Sequence, residues 1–436
     1  MMNLLSHYRK ASVGLVSILA VGVLAGCGDD STSGPDNTTI TVPTAYTFES
    51  RFDAGQSSVG YSGQVVRNLL IQDLQTAITN MSKPGAAALT LNDLLAIYEH
   101  DDAANMMTLT STGSLPALEE QYNKISTGKK LSDKISSQVL PGYDKTADQL
   151  IREWLQIIAN NAQNPDRLGT PLVYTTAEGV DLSQMINKLL LGSVAYYQGT
   201  GVYLEGILGD NNNDRDGSAA HTAMEHHWDE AFGYFGAARD YGRYSDEDLA
   251  GSTDQFVFDS NDDGKIDFDS EYNYAFARGA GKRDNGRSTD FSTTIFDAFL
   301  EGRAIITGKG PETDLVAQRK IVRETWERII AATVIHYINE VIADMEDLTP
   351  DSTPENSLDL NKHWAEMRGY ALALYYNPAR KISDTDMQVF QGYLETAPVH
   401  APEQAIEHSQ YRSRLGLART ILQNAYGFSG SDVNNW

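Results

Sequence analysis

Apolar residues recur at helical spacing through most of this chain, and no other sequence feature limits its fold as strongly. In "GQVVRNLLIQDLQTAITNM", Val65, Leu69, Leu70, Leu74 and Ile78 fall on one helical face. The same period fills "DQLIREWLQIIANNA", "SQMINKLLLGSVAYYQGTGVYLEGIL", "TTIFDAFLEGRAIIT" and the long "VAQRKIVRETWERIIAATVIHYINEVIADME". Strict alternation is rare, and "TITVPTAYTF" is the best strand candidate. The 13 prolines fall mainly between the helical segments. The expectation is an all-α protein built of antiparallel helical bundles.

The first residues point to an address. Arg9 and Lys10 precede an apolar run from Val13 to Ala25, too short for a confident membrane span, which ends in Leu24-Ala25-Gly26-Cys27. This resembles the lipobox of bacterial lipoproteins, in which the cysteine is acylated. Cys27 is the only cysteine, so an intramolecular disulfide is excluded. Residues 1–26 are therefore expected to be a signal peptide and residues 27–45 a Gly/Ser/Thr/Pro tether. Residues 46–285 are expected to form one helical half and residues 286–436 a second. The membrane, through the lipid anchor, is then a partner, and the location is periplasmic or cell-surface, on the outer membrane. A net charge of −25 disfavours nucleic acid as a partner.

The two halves share a motif. "HHWDEAFGYFG" and "KHWAEMRGYAL" agree in H-W-x-E-x-x-G-Y, with His227 and His363 136 positions apart. Trp is scarce, with five in the chain, so agreement at five of eight positions is not expected by chance. Each copy follows a long apolar helix and a polar loop, which suggests duplicated bundles about a pseudo-twofold axis. On a helix, residues i and i+3 share a face. His227 with Glu230, and His363 with Glu366, would each offer an imidazole nitrogen and a carboxylate oxygen, half of a divalent-metal site for iron or zinc. The first copy is the richer, with His221, Glu225 and His226 just before it. The alternative is packing: Gly permits close helix approach, Trp and Tyr bury large area, and His with Glu completes a buried polar network.

The phrases "YTFESRF", "GYSGQVVRNLL", "HHWDEAFGYFG" and "KHWAEMRGYALALYYNP" resemble an uncharacterised bacterial lipoprotein family related to imelysins. That resemblance implies two helical bundles related by a pseudo-twofold, a His-x-x-Glu helix and a link to iron uptake. The imelysin-like motif has Gly two residues before its His; here Glu225 and Asn361 stand there. Only His227, Glu230, His363 and Glu366 carry over as metal-site residues.

A second constellation lies in "DSNDDGKIDFDSE". Asp259, Asn261, Asp263 and Gly264 fill positions 1, 3, 5 and 6 of a calcium loop, the Lys265 carbonyl position 7 and Asp267 position 9. Ser270 stands where the closing acid belongs, so Glu271 or Asp269 would have to reach in. Asn212, Asp214, Asp216 and Gly217 give a weaker version of this Ca2+ pattern. A solvated acidic turn is the alternative for both. No P-loop, dinucleotide fingerprint or nucleophile elbow is present. His336 is expected to be a core histidine, and His100 a surface helix end. The expected function is a lipid-anchored, calcium-stabilised imelysin-like protein that binds iron, another divalent metal or a metal-bearing ligand, with an outer-membrane uptake receptor as partner. It leans away from catalysis; a metal-dependent peptidase with Glu230 as base, and a structural calcium-binding lipoprotein, are the alternatives.

Overall fold

The computed structural model describes residues 40–100, 126–253 and 257–436, so Cys27, the signal segment and most of the tether lie outside the described residues. The first apolar stripe becomes helix α1, Ser62–Asn80, with Val65, Leu69, Leu70, Leu74 and Ile78 buried. Helices α2 (Leu91–Tyr98) and α3 (Ala147–Asn161) each begin at a capping box, Thr90 with Asp93 and Thr146 with Gln149. Helix α4, Leu182–Leu190, runs on into a π-helical stretch, Leu191–Tyr203. A polar loop follows, and then α5, Ala223–Phe235, which opens on a Thr222–Glu225 capping box and ends at Gly236 with φ 82°. A side chain there would be strained.

The remainder is helix on helix. α6 (Ala275–Asp284), α7 (Phe291–Thr307) and the 35-residue α8 (Glu312–Glu346) precede α9, Leu358–Ala373. α10 (Asp384–Tyr393) and α11 (Ile406–Tyr426) cover the far side. α8 packs along α7 and α9, and α9 also lies on α4. The fold is all-α, as the period requires. No helix among the described residues is long and apolar enough to cross a membrane.

Trp228, Trp326 and Trp364 are fully buried in this core. Trp228 donates its indole N–H to the Phe299 carbonyl at 3.0 Å, and Trp364 donates to the Tyr411 hydroxyl at 2.8 Å. Gly302 makes the first contact possible, because a Cβ there would fall 2.1 Å from the Trp228 ring. Thus α7, on the far side of residue 285, packs directly on α5, and residues 40–436 form one compact unit.

"TITVPTAYTF" forms no strand over its described part, residues 40–48; it is irregular chain with isolated pairing only later, between Glu49 and Ser57. Pro43 lacks a ladder donor, and the aromatic residues insert into the helices instead of alternating across a sheet. Tyr46 stacks on Phe232 at 3.8 Å, and Ile40 packs against Gly308 and Gly310. The end of the expected tether is therefore packed. A two-stranded antiparallel pair, Val139–Leu140 with Lys145–Thr146, is found instead in a segment that gave no strand signal. His100, expected at the surface, is buried.

Candidate functional site

Helix α5 carries the first motif copy, but His227 and Glu230 do not bond each other. The Nδ1 of His227 lies 2.7 Å from Asp210 Oδ2, in the loop before α5. A carboxylate only accepts, so Nδ1 carries the proton and Nε2 is left to accept or to ligate. Glu230 takes the amide of Gln64 at 2.6 Å and lies within hydrogen-bonding reach of the Tyr203 hydroxyl. The ring of Tyr203 also sits 5.5 Å from His227 and 6.1 Å from Tyr234. Burial, and then the Glu230 carboxylate, push the Tyr203 phenol well up, so it acts as a donor.

Helix α9 repeats the arrangement with different residues around it. His363 Nδ1 lies 2.8 Å from Asp344 Oδ2, and the Tyr337 hydroxyl donates to Glu366 at 2.9 Å. Tyr337 lies 6.2 Å from His363 and 6.1 Å from Tyr370, matching Tyr203 in the first copy. The hydrogen bond that His363 donates to Asp344 raises the His363 pKa, with burial opposing it. The contact set shared by the two copies is thus Asp, His, Tyr and Glu. Gly233 and Gly369 serve the same purpose in both: an added Cβ would fall 2.7 Å from Tyr61 Cβ and 2.5 Å from Lys188 Cβ.

The surroundings differ. At the first copy His226, one residue before His227, brings its Nε2 to 3.8 Å from Glu230 Oε1 and stacks on His221 at 4.4 Å. Its buried Nδ1 has no hydrogen-bond partner among the described residues. At the second copy Lys362 takes the place of His226, and the buried Lys188 ammonium lies 3.4 Å from Glu366. Glu366 is therefore already neutralised by a cation, whereas Glu230 faces an amide and an imidazole.

Two further acids that made the first copy look rich belong to the fold. Arg303 of α7 is fully buried; its guanidinium donates to Asp229 at 2.8 Å, to Glu225 at 3.0 Å and to Ser58 Oγ at 2.8 Å. Tyr46 donates to Asp229 at 2.8 Å, and Arg51 pairs with Glu225 at 3.2 Å. Burial alone would raise Glu225, but Arg303, the Thr222 N–H and Arg51 together hold it below the usual carboxylate range. Neither acid is available to a ligand. Their counterparts in the second copy are Ala365 and Asn361, which have no charge to satisfy.

The acidic loop is held by side-chain-to-backbone hydrogen bonds. Asp259 accepts from Gly264 N–H at 2.8 Å, Asn261 from Asp263 N–H at 2.9 Å, and Asp263 from Lys265 N–H at 2.9 Å. Gly264 has φ 82°. Asp267 accepts from Asp269 N–H at 2.7 Å. Glu271 is buried and staples the loop from beneath, accepting from Ser260 N–H at 2.8 Å and Asp267 N–H at 3.0 Å. Asp269 pairs with Arg239 at 3.0 Å. Both acids that could close the coordination sphere are thus engaged elsewhere. In the weaker loop, Asn212 bonds Arg51 and the Ile306 carbonyl, tying the loop before α5 to α7. No group of three His, Cys, Asp or Glu side chains among the described residues stands arranged to hold a metal ion. His336 is partly buried, and burial first, then Arg283, depresses it to about 3, so it stays neutral.

Sequence reasoning missed Asp210, Asp344, Tyr203, Tyr337 and Arg303. The first four were visible as Y-x6-D, in "YLEGILGD" and "YINEVIAD", at the end of the helix before each motif copy. Loops of unequal length hide it, since Asp210 precedes its histidine by 17 residues and Asp344 by 19.

These features define an all-helical protein in which one set of polar contacts is built twice. The chain belongs to the family described as Domain of unknown function (DUF4856), whose model matches residues 43–358, well over half its length. The match takes in the first motif copy and ends before the second. No curated protein and no solved structure matches the chain.

Proposed function

We propose that this chain is a lipid-anchored, extracytoplasmic binding protein, made of two related helical halves, that captures a divalent metal such as iron, or a metal-bearing ligand, at the first motif copy. The observation that carries this reading is the pairing of His226 Nε2 with Glu230 Oε1 at 3.8 Å, beside a His227 whose Nδ1 is held by Asp210. A metal ion about 2.0–2.2 Å from nitrogen and oxygen bridges such a span with little movement. A carboxylate on the far nitrogen is the usual way of orienting a ligating imidazole. With so few protein donors the coordination sphere stays open, which suits cargo that brings its own ligands. The net charge of −25 raises the local concentration of cations. The doubled Asp–His and Tyr–Glu contacts support a duplicated, pseudo-twofold origin. The lipid anchor rests on the lipobox-like segment ending at Cys27, and an outer-membrane uptake receptor is the partner such an anchor suits.

Metal analysis of protein purified without chelator, on wild type and on His227→Ala, tests this. Iron or zinc bound to the wild type and reduced in the variant is expected; calcium alone in both overturns the reading. If metal is bound, denatured protein substrates should remain uncut, and Glu230-dependent cleavage would instead favour the peptidase alternative.

A calcium ion at Asp259, Asn261, Asp263, Lys265 and Asp267 is a second, compatible reading, favoured by the set of side-chain-to-backbone bonds that turns these oxygens about Gly264. EGTA should then lower the melting temperature by about 1 °C for each kcal/mol of stabilisation lost in a chain this size. Asp263→Ala should abolish the difference, and an EGTA effect equal in the variant would refute the site.

A further inference from the structure

A cavity of about 430 Å³ lies on the side of α7 that carries neither motif copy nor acidic loop. Its walls come from residues 42–44, from the turn after α5 that holds Tyr241, Gly242 and Tyr244, and from one face of α7. Ser292, Phe296 and Leu300 recur every four residues on α7, with Asp297 and Glu301 beside them, so a single helical face lines the cavity along its length. The buried part of the wall is aromatic. Tyr241, Tyr244 and Phe296 are buried, and the Tyr241 ring lies 5.5 Å from Phe296 and 6.4 Å from Tyr244. Their phenol oxygens are engaged away from the cavity: Tyr241 donates to the Ala277 carbonyl at 2.6 Å, and Tyr244 accepts from the Phe258 N–H at 2.9 Å. What these tyrosines offer a ligand is ring surface.

The only charged side chains in the wall are two carboxylates on its exposed rim, Asp297 and Glu301. Glu301 takes a neutral partner, the Gln318 amide, at 2.5 Å. Asp297 has no hydrogen-bond or ion-pair partner among the described residues, and burial, then Asp290, raise its carboxyl. Behind the wall, Ser292 donates its N–H to Asp284 at 2.8 Å and its hydroxyl to Asp246 at 3.2 Å. Neither of these acids pairs with a cation among the described residues, and burial, then Asp284, raise Asp246. In a chain with 59 acidic and 34 basic residues, acids on a surface are expected. Acids without counter-charge at the mouth of an aromatic cavity are not explained by composition. A carboxylate beside a low-dielectric wall attracts a cation more strongly than one in open water, and an aromatic ring adds its own attraction. A bare inorganic ion would leave the aromatic wall unused, so the lining suits a cation with an apolar body.

We propose that this cavity binds a small organic ammonium ion, whose charge sits between Asp297, Glu301 and the aromatic rings and whose apolar body packs against Phe296 and Leu300. The site goes beyond the metal reading and does not rest on it, since none of its residues is a proposed donor to metal or calcium. Gly242 gives an independent way to close it. An added Cβ there would meet the Phe296 ring at 3.4 Å, in van der Waals contact, so a larger side chain is accommodated and occupies the space beside the ring.

The test is calorimetric titration of the purified full chain with choline and, separately, with phenethylamine, in EDTA and at ionic strength matched by NaCl. The neutral counterpart of choline, 3,3-dimethylbutan-1-ol, is the control for charge. Saturable binding of at least one ammonium probe is expected, with none of the alcohol. Asp297→Asn/Glu301→Gln should weaken it about tenfold, at a melting temperature no lower than that of the wild type. Gly242→Leu should remove it. Choline binding assigns the rings as the main contact, and phenethylamine binding alone assigns carboxylates that accept its N–H groups. Absence of binding by both ammonium probes, equal binding of the alcohol, or unchanged binding in either variant overturns the proposal. Because EDTA is present throughout and no residue is shared, neither result bears on metal at the first copy.

Discussion

Around His227 the shared contacts are bordered by His226, His221 and a carboxylate that faces a neutral amide; around His363 they are bordered by Lys188, Lys282 and Arg278. The frame is common to both: a carboxylate on Nδ1, a tyrosine on the glutamate, a glycine two turns on, a buried tryptophan. What differs is the charge placed next to it. The comparison separates the parts of H-W-x-E-x-x-G-Y that build the helix packing from the parts left for ligands. It also shows why the acid-rich first copy misleads: Glu225 and Asp229 answer Arg303. The second copy avoids the problem with Ala365 and Asn361.

The largest expected effect breaks that asymmetry. Arg303→Met strips the buried Asp229 of its guanidinium partner, leaves Glu225 with Arg51 alone, and should cost about 3–5 kcal/mol in urea unfolding. Adding Asp229→Ala and Glu225→Asn, which imports the second copy's solution, should restore most of it. A triple variant no more stable than the single one would show that the network is not the cause.

Next in size is a test of what the copies share. Gly233→Ala and Gly369→Ala each place a methyl under 3 Å from a packed neighbour. Each should cost about 1–3 kcal/mol by overpacking. A large loss at one glycine and none at the other would deny that the two helices are packed by one device.

The smallest effect concerns protonation. Asp344 raises His363 above its ordinary value, with burial working against it. A raised histidine stabilises the fold fully below its unfolded pKa of about 6.5, and that contribution fades as pH climbs through the folded pKa. Asp344→Asn should therefore cost more at pH 5.5 than at pH 8.5, by about 1–2 kcal/mol for a charge-assisted hydrogen bond. A cost that grows with pH would contradict the assignment. His336 has the opposite sign: depressed to about 3, it favours the fold in its neutral form and weakens it as pH falls below about 6.5.

The helices were legible because the apolar period is local information. Val65 to Ile78 mark the buried face of α1, and both His-Trp motifs lie on helices as expected. The site was legible only in part. His227 and His363 were found, but their partners Asp210 and Asp344 lie in the element before, and helical spacing alone favoured Glu230 and Glu366. Arg303 is 74 residues from Asp229, and Tyr46 is 183 away. Such pairings depend on which helices pack, which periodicity does not specify. The strand expected at "TITVPTAYTF" failed for the same reason: Tyr46 and Phe48 answer to α5 and α7, not to a neighbouring strand.

The central claim is that one frame carries a cation site at the first copy and not at the second. Equilibrium dialysis against ferrous or zinc ion, followed by metal analysis, tests it on wild type, on His226→Ala/Glu230→Gln and on His363→Ala/Glu366→Gln. The account predicts metal on the wild type, loss in the first variant and retention in the second. Metal absent from the wild type, or lost only when the second copy is changed, would contradict it.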